Sequence, residues 1–213
     1  MVHLMRVEEE YRLELREIRF DSIMLKQIIQ NGMPSGFQNS VIAIANVFVQ
    51  SNINAFGKMA MAGCGSYSKI EGFAFLPVTC FTMALTTFVS QNLGAKQYDR
   101  AKKGARFGVL CSIIIAELLG VIIYAAAPVL IAAFNRDPDV VHYGVMQSRT
   151  IALFYCLLAF SHCIAAVLRG SGHASVPMIV MLCDWCLFRV SYITVAVRIF
   201  PDIRVIFWAY PLT

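Results

Sequence analysis

The chain has 213 residues, of which 58% are hydrophobic and only 15% charged, and its mean hydropathy is +0.65. Soluble domains carry about 45–50% apolar and about 25% charged residues, so the composition excludes an ordinary soluble enzyme, a disordered chain and a coiled coil. The net charge of +5 comes from bases in short connections between apolar runs, which is the pattern of membrane topology and not of a nucleic-acid partner.

Residues 1–33 hold five bases and six acids. From Glu10 to Gln30 the apolar Leu15, Ile18, Ile23, Leu25, Ile28 and Ile29 alternate with charges, which predicts an amphipathic helix on the membrane surface. Gly32 and Pro34 are expected to break it. Residues 1–33 are thus read as a cytoplasmic amphipathic linker and 34–213 as a transmembrane lobe. No cleavable signal peptide is expected, because the first 33 residues lack a compact apolar segment.

Five complete spans follow, at about 34–56, 72–93, 107–134, 145–168 and 176–197. Each is apolar all round, unlike the alternating strands of a barrel. Val205 to Thr213 begins a sixth. Nine helical residues rise only about 13 Å against a hydrocarbon core of about 30 Å, so the last helix is expected to be cut short, as in a fragment. The fold class is an all-α polytopic membrane protein of five complete transmembrane helices and the start of a sixth. Placing residues 1–33 inside gives that side eleven Lys and Arg against five on the other, which makes the N-terminus and the Gln91–Arg106 loop cytoplasmic.

Ionisable groups inside spans are functional candidates by default. Glu117 and Asp184 lie near the middles of their spans. Each is a candidate to take a proton, ligate a cation or attract a cationic substrate; pairing with a neighbouring helix is the structural alternative. Arg189 stands five residues after Asp184, about 140° round an α-helix, so it is expected to meet a group on another span. Arg149 is expected to snorkel to the surface, and Glu71 to be solvated at the outer edge of the second span. Asn39, Asn46 and Gln50 share one face of the first span, with Asn54 continuing it. Such amides either line a wet cavity or join helices. Pro77 is expected to kink the second span. His162 reads as a hydrogen-bonded packing residue. The cysteines, including the Cys183-x-x-Cys186 pair, lie mostly in apolar runs, where Cys acts as a small hydrophobe. Gly104 and Gly108 are spaced for close helix approach. Clustered catalytic side chains are not evident, so no enzyme activity is expected.

Three stretches together resemble the multidrug and toxic compound extrusion (MATE) transporters. Gln91-Asn92-Leu93-Gly94-Ala95, followed by Lys96, Arg100, Lys102, Lys103 and Arg106, is similar to the loop after the second helix of a MATE half. Leu168-Arg169-Gly170-Ser171-Gly172, with Pro177 after it, resembles the loop between the tenth and eleventh helices. The Leu25–Gln50 segment with Gly32-Met-Pro-Ser-Gly36 resembles the start of the seventh. These motif positions are topological: Gly94 is expected to turn the chain at the membrane face, and the bases to fix sidedness and touch anionic lipids.

The resemblance implies two six-helix lobes around a central cavity, of which this chain would be the C-terminal one and would need its N-terminal partner lobe. It implies export of drugs and other small organic cations from the cell, across the plasma (inner) membrane, in exchange for Na⁺ or H⁺, with no cofactor beyond that ion. One departure stands out. The spans matching the seventh and tenth helices, where some subgroups carry a coupling acid, hold no Asp or Glu. Coupling would then fall to Glu117 or Asp184, or to the other lobe. The alternatives are a lipid-linked sugar flippase of the same superfamily, for which Arg149 and Arg189 would be the cavity bases, and a truncated inactive product.

Overall fold

The computed structural model describes residues 21–200 and 202–212. Among them every regular element is a helix. Most of the surface helix expected over 10–30 lies outside the described residues. Helix α1 runs Ser22–Asn54 and is capped by Asp21, whose carboxylate accepts the Ile23 and Met24 amides at 2.8 and 3.1 Å. The expected break at Gly32 and Pro34 does not occur, for α1 passes through both. Pro34 removes one backbone hydrogen bond, whereas ending the helix there would strip partners from up to four carbonyls on one side and four amides on the other.

The remaining helices form antiparallel hairpins. Helices α2 (Lys58–Ala74) and α3 (Leu76–Gly94) make one long rod jointed at Phe75. Helix α4 is Tyr98–Ala132. Helices α5 (Pro138–Ile151) and α6 (Tyr155–Gly170) are joined by a tight 3₁₀ turn over Ala152–Phe154. Helices α7 (Ser175–Leu182) and α8 (Arg189–Ile199) flank a widened π turn over Cys183–Phe188. Helix α9 is Ile203–Leu212. Four of these rods, 58–94, 98–132, 138–170 and 175–199, are long and apolar enough to cross a bilayer. Helix α1 is long enough, but its amides lower its hydropathy. Four of the five expected complete spans thus have such a rod, and the first, 34–56, falls in the more polar α1. The second begins 14 residues earlier than expected, because Lys58, Lys69 and Glu71 are helical and do not form a loop.

Helices in a bilayer approach closely where side chains are small. Gly63 of α2 and Gly144 of α5 face each other: a Cβ on Gly63 would stand 2.5 Å from the Val140 carbonyl oxygen, and one on Gly144 3.0 Å from that of Gly63. Gly104 and Gly108 press on Phe88 and Leu85 of α3, as their spacing predicts. Gly120 of α4 lies against the carbonyl oxygen of Ala152, so α4 seats the 3₁₀ turn. One apolar core joins α2, α4, α5 and α6 around Tyr67, Ile131 and Ala152. A second joins α1, α2, α8 and α9 around Ile53, Ile193 and Phe207.

Candidate functional site

Three irregularities fall around one cavity. The 3₁₀ turn and the π turn interrupt two rods and border a space of about 350 Å³ lined by Glu71, Phe154, Tyr155, His162, Asp184 and Trp185, with Tyr210 of α9 among the others; the Phe75 joint of a third rod lies behind the lining residue His162. Non-regular backbone inside a membrane is tolerated where protein or a cavity surrounds it, and π turns concentrate at functional sites.

The acid on α2 enters this cavity because its helix starts early. Glu71 stands 13 residues beyond Lys58, about 20 Å along the axis, well inside the rod and not at its edge. It is partly buried. The Tyr67 hydroxyl, one turn earlier, lies 3.4 Å from its Oε1 and 2.9 Å from the Tyr155 hydroxyl of α6. Two helices are thereby tied through phenols to one carboxylate. Phe75 packs edge-on against the His162 ring, with centroids 5.1 Å apart.

The π turn supplies the other charges. Its i→i+5 bond runs from the Arg189 amide to the Asp184 carbonyl. This widening brings residues 184 and 189 closer in angle than the 140° of a regular helix. The sequence geometry assumed no such bond. Arg189 is 1% exposed. Its guanidinium lies 3.9 Å from the Trp185 ring centroid and 4.9 Å from that of Tyr210, a cation–π sandwich suited to a buried charge. Its charge acts on Asp184, Glu71 and Tyr210. As expected, it meets groups on other helices.

Glu117 does not line this cavity. Its Oε2 accepts the Cys156 amide at 3.2 Å. The 3₁₀ turn explains why. Tyr155 takes the Ala152 carbonyl, which Cys156 would use in a regular α-helix, and Glu117 provides the replacement acceptor. Asp184 and Arg189 are therefore brought together, and Glu117 stands apart from them. Asn39 and Asn46 are exposed on α1, while Gln50 donates to the Asn54 side chain at 3.0 Å. Neither Asn39, Asn46 nor Gln50 reaches the cavity lining.

The motif loops have a geometry of their own. After α3 the Gln97 amide bonds the Asn92 carbonyl and the Lys96 amide that of Leu93. After α6 the His173 amide bonds Leu168 and the Gly172 amide bonds Arg169. Both are Schellman endings. The left-handed residue is Gly172 in one (φ 84°) and Lys96 in the other (φ 58°), so the expected turn at Gly94 sits two residues later. Asn92 is buried, and its side-chain amide donates to the Phe88 carbonyl at 2.7 Å. Gln91, Gly94 and Ala95 are exposed. Gly170 packs against the Thr86 carbonyl, 2.7 Å from where its Cβ would be.

The family model MatE matches residues 34–194. The chain belongs to the MatE family. Among curated relatives, the probable multidrug resistance protein NorM of Thermotoga maritima is 26% identical over 175 residues, covering 82% of this MatE chain and 38% of the relative. The probable multidrug resistance protein YoeA of Bacillus subtilis is 22% identical over 167 residues, covering 78% and 36%. A solved outward-facing multidrug resistance MATE transporter superposes with a TM-score of 0.86 at 19% identity, covering 96% of this chain and 46% of that one. The chain thus spans well under half the length of these relatives. Membership and apolar rods together make it a multi-pass membrane protein.

Proposed function

We propose that this MatE chain forms the C-terminal lobe of a secondary transporter that exports organic cations in exchange for Na⁺ or H⁺. The lobe acts with an N-terminal counterpart in the plasma membrane, with Gln91–Arg106 on the cytoplasmic side. The observation that carries the reading is the placement of Glu71 and Asp184 on one intramembrane cavity with Arg189 beside them. With all three ionised the cluster holds one more negative than positive charge, which one monovalent cation balances. That sign favours cations over the anionic headgroups a sugar-lipid flippase would hold. Carboxylates kept from bulk water bind a cation or a proton more readily than exposed ones, and the Tyr67 and Tyr155 hydroxyls supply neutral oxygens beside Glu71. Coupling is thus assigned to Glu71, with Asp184 as its partner acid. The exposed amides Asn39 and Asn46 of α1 suit a wet face shared with the other lobe, since lipid offers them no partner.

The test is gradient-driven efflux of ethidium from membrane vesicles carrying the protein. Glu71→Gln is expected to slow efflux at least about tenfold at unchanged membrane level. Efflux at the parent rate would overturn the assignment.

A further inference from the structure

A second concavity adjoins the cavity of Glu71, with Phe154 between them. It is a groove of about 610 Å³ between α4, α5 and α9. Arg149, Arg204 and His142 line it together with Tyr124, Trp208 and Phe154, and no carboxylate does. Both arginines are exposed. The Arg149 guanidinium rests over the Tyr124 ring, 5.5 Å from its centroid, and the Phe154 and Trp208 rings meet edge-on at 6.0 Å. The acids nearest in sequence are Asp202, which accepts the backbone amide of Arg204 at 2.9 Å, and Asp137 and Asp139 at the start of α5, of which Asp139 shares a separate concavity with His142; none of the three lines this groove.

The depth of these groups identifies the ligand. The α5–α6 rod spans 33 residues, about 50 Å, which exceeds the hydrocarbon core by about 20 Å. Arg149 lies 11 residues from its start, so in a centred rod it sits about 7 Å inside the hydrocarbon edge. Its side chain reaches back to the headgroup level. Arg204 and His142 are close to the helix ends on the same side. Two permanent cations therefore converge at the depth of the lipid phosphates, above a floor of aromatic rings. Fixed positive charge exposed at that depth is costly unless an anion meets it, and the abundant anion there is a lipid phosphate.

We propose that this groove binds the headgroup of an anionic phospholipid. Arg149 and Arg204 hold the phosphodiester, His142 donates to a headgroup oxygen, and the Tyr124, Phe154 and Trp208 rings contact the glycerol and upper acyl carbons. The site is independent of the transport assignment, and its test does not require transport.

The protein, with Trp185→Phe so that Trp208 is the single indole reporter, is reconstituted in phosphatidylcholine. Quenching by brominated phosphatidylglycerol is then compared with quenching by brominated phosphatidylcholine. We expect a preference for phosphatidylglycerol of roughly tenfold or more, following the attraction of each base to anionic lipid. It should fall several-fold in Arg149→Gln and in Arg204→Gln, and persist in Arg149→Lys. Equal quenching by the two lipids, or a preference unchanged in both Gln variants, overturns the proposal. So does its loss on adding about 10 mM inorganic phosphate but not about 10 mM chloride, which would mark a site for free phosphate and not for lipid, since both salts screen weakly at that concentration. Near-ultraviolet circular dichroism of each Gln variant, matched to the parent, assigns a lost preference to the missing charge.

Discussion

The chain places two arginines inside apolar rods and treats them in opposite ways. Arg189 is 1% exposed, held between Trp185 and Tyr210, and surrounded by the charges of Glu71 and Asp184. Arg149 is exposed, rests on a single ring and lines a groove without a carboxylate. Both carry the same charge at similar distance from any loop. Burial and counter-charge separate them: one completes an internal electrostatic cluster, and the other offers its charge outward. An intramembrane arginine therefore marks a site without specifying whether the partner is protein or lipid. Neighbouring helices decide that.

The contrast can be broken by removing each charge. Arg189→Gln should give the largest effect, since it leaves two acids without their central cation. We expect a loss of about 3 kcal/mol, as for breaking a buried charge pair, read by thermal unfolding in detergent. Arg149→Gln should change stability by less than about 0.5 kcal/mol. Similar losses in both would erase the distinction. Asp184→Asn tests the buried cluster more gently. Ethidium efflux should drop by about tenfold while the unfolding temperature stays near that of the parent, and parent-like efflux would remove Asp184 from the pathway. A further pair of substitutions contrasts the acids in the same way. Glu117→Ala should cost about 2 kcal/mol, the value of one hydrogen bond to a charged acceptor. Glu117→Gln, which still accepts the Cys156 amide, should leave the ion dependence of efflux unaltered.

Much of the architecture was legible from apolar run length alone, because a bilayer demands about 20 apolar residues per crossing. Charges misled where they lie inside. Lys58 and Lys69 read as part of a connection and Glu71 as the edge of a span, yet all three are helical, and the Glu71 carboxylate meets Tyr67 and the field of Arg189. Those partners lie one turn back and on a distant helix, and one-dimensional spacing shows only the first. Gly32 and Pro34 read as a break, but a single missing hydrogen bond weighs less than two unsatisfied helix ends. Asp184 and Arg189 were each visible as intramembrane charges, and their spacing set them about 140° apart. Their angular separation was not, because a π turn has no compositional signature. Glu117 was visible as a mid-span acid, while its acceptor role depends on a 3₁₀ turn 35 residues away in sequence, in Ala152–Phe154. The QNLGA and RGSG loops carried family membership, although the left-handed turn in the first falls on Lys96, which residue preferences would not have selected.

The π turn at Cys183–Phe188 has a consequence for insertions and deletions. Such a turn is an α-helix holding one surplus residue. A span normally tolerates substitution better than loss of a residue, because deletion rotates everything beyond it by about 100°. Here a one-residue deletion would relax the backbone into a regular helix, still 24 residues long from the original 25 and still able to cross the membrane. Arg189 would then stand four α-helical positions beyond Asp184, about 40° round the axis, near the angle at which the π turn holds it, and would keep its place beside Tyr210. The surplus residue thus acts as slack within the helix: a deletion inside the turn, at Leu187 for example, should be tolerated better than one elsewhere in the rod, which would rotate the charged cluster apart.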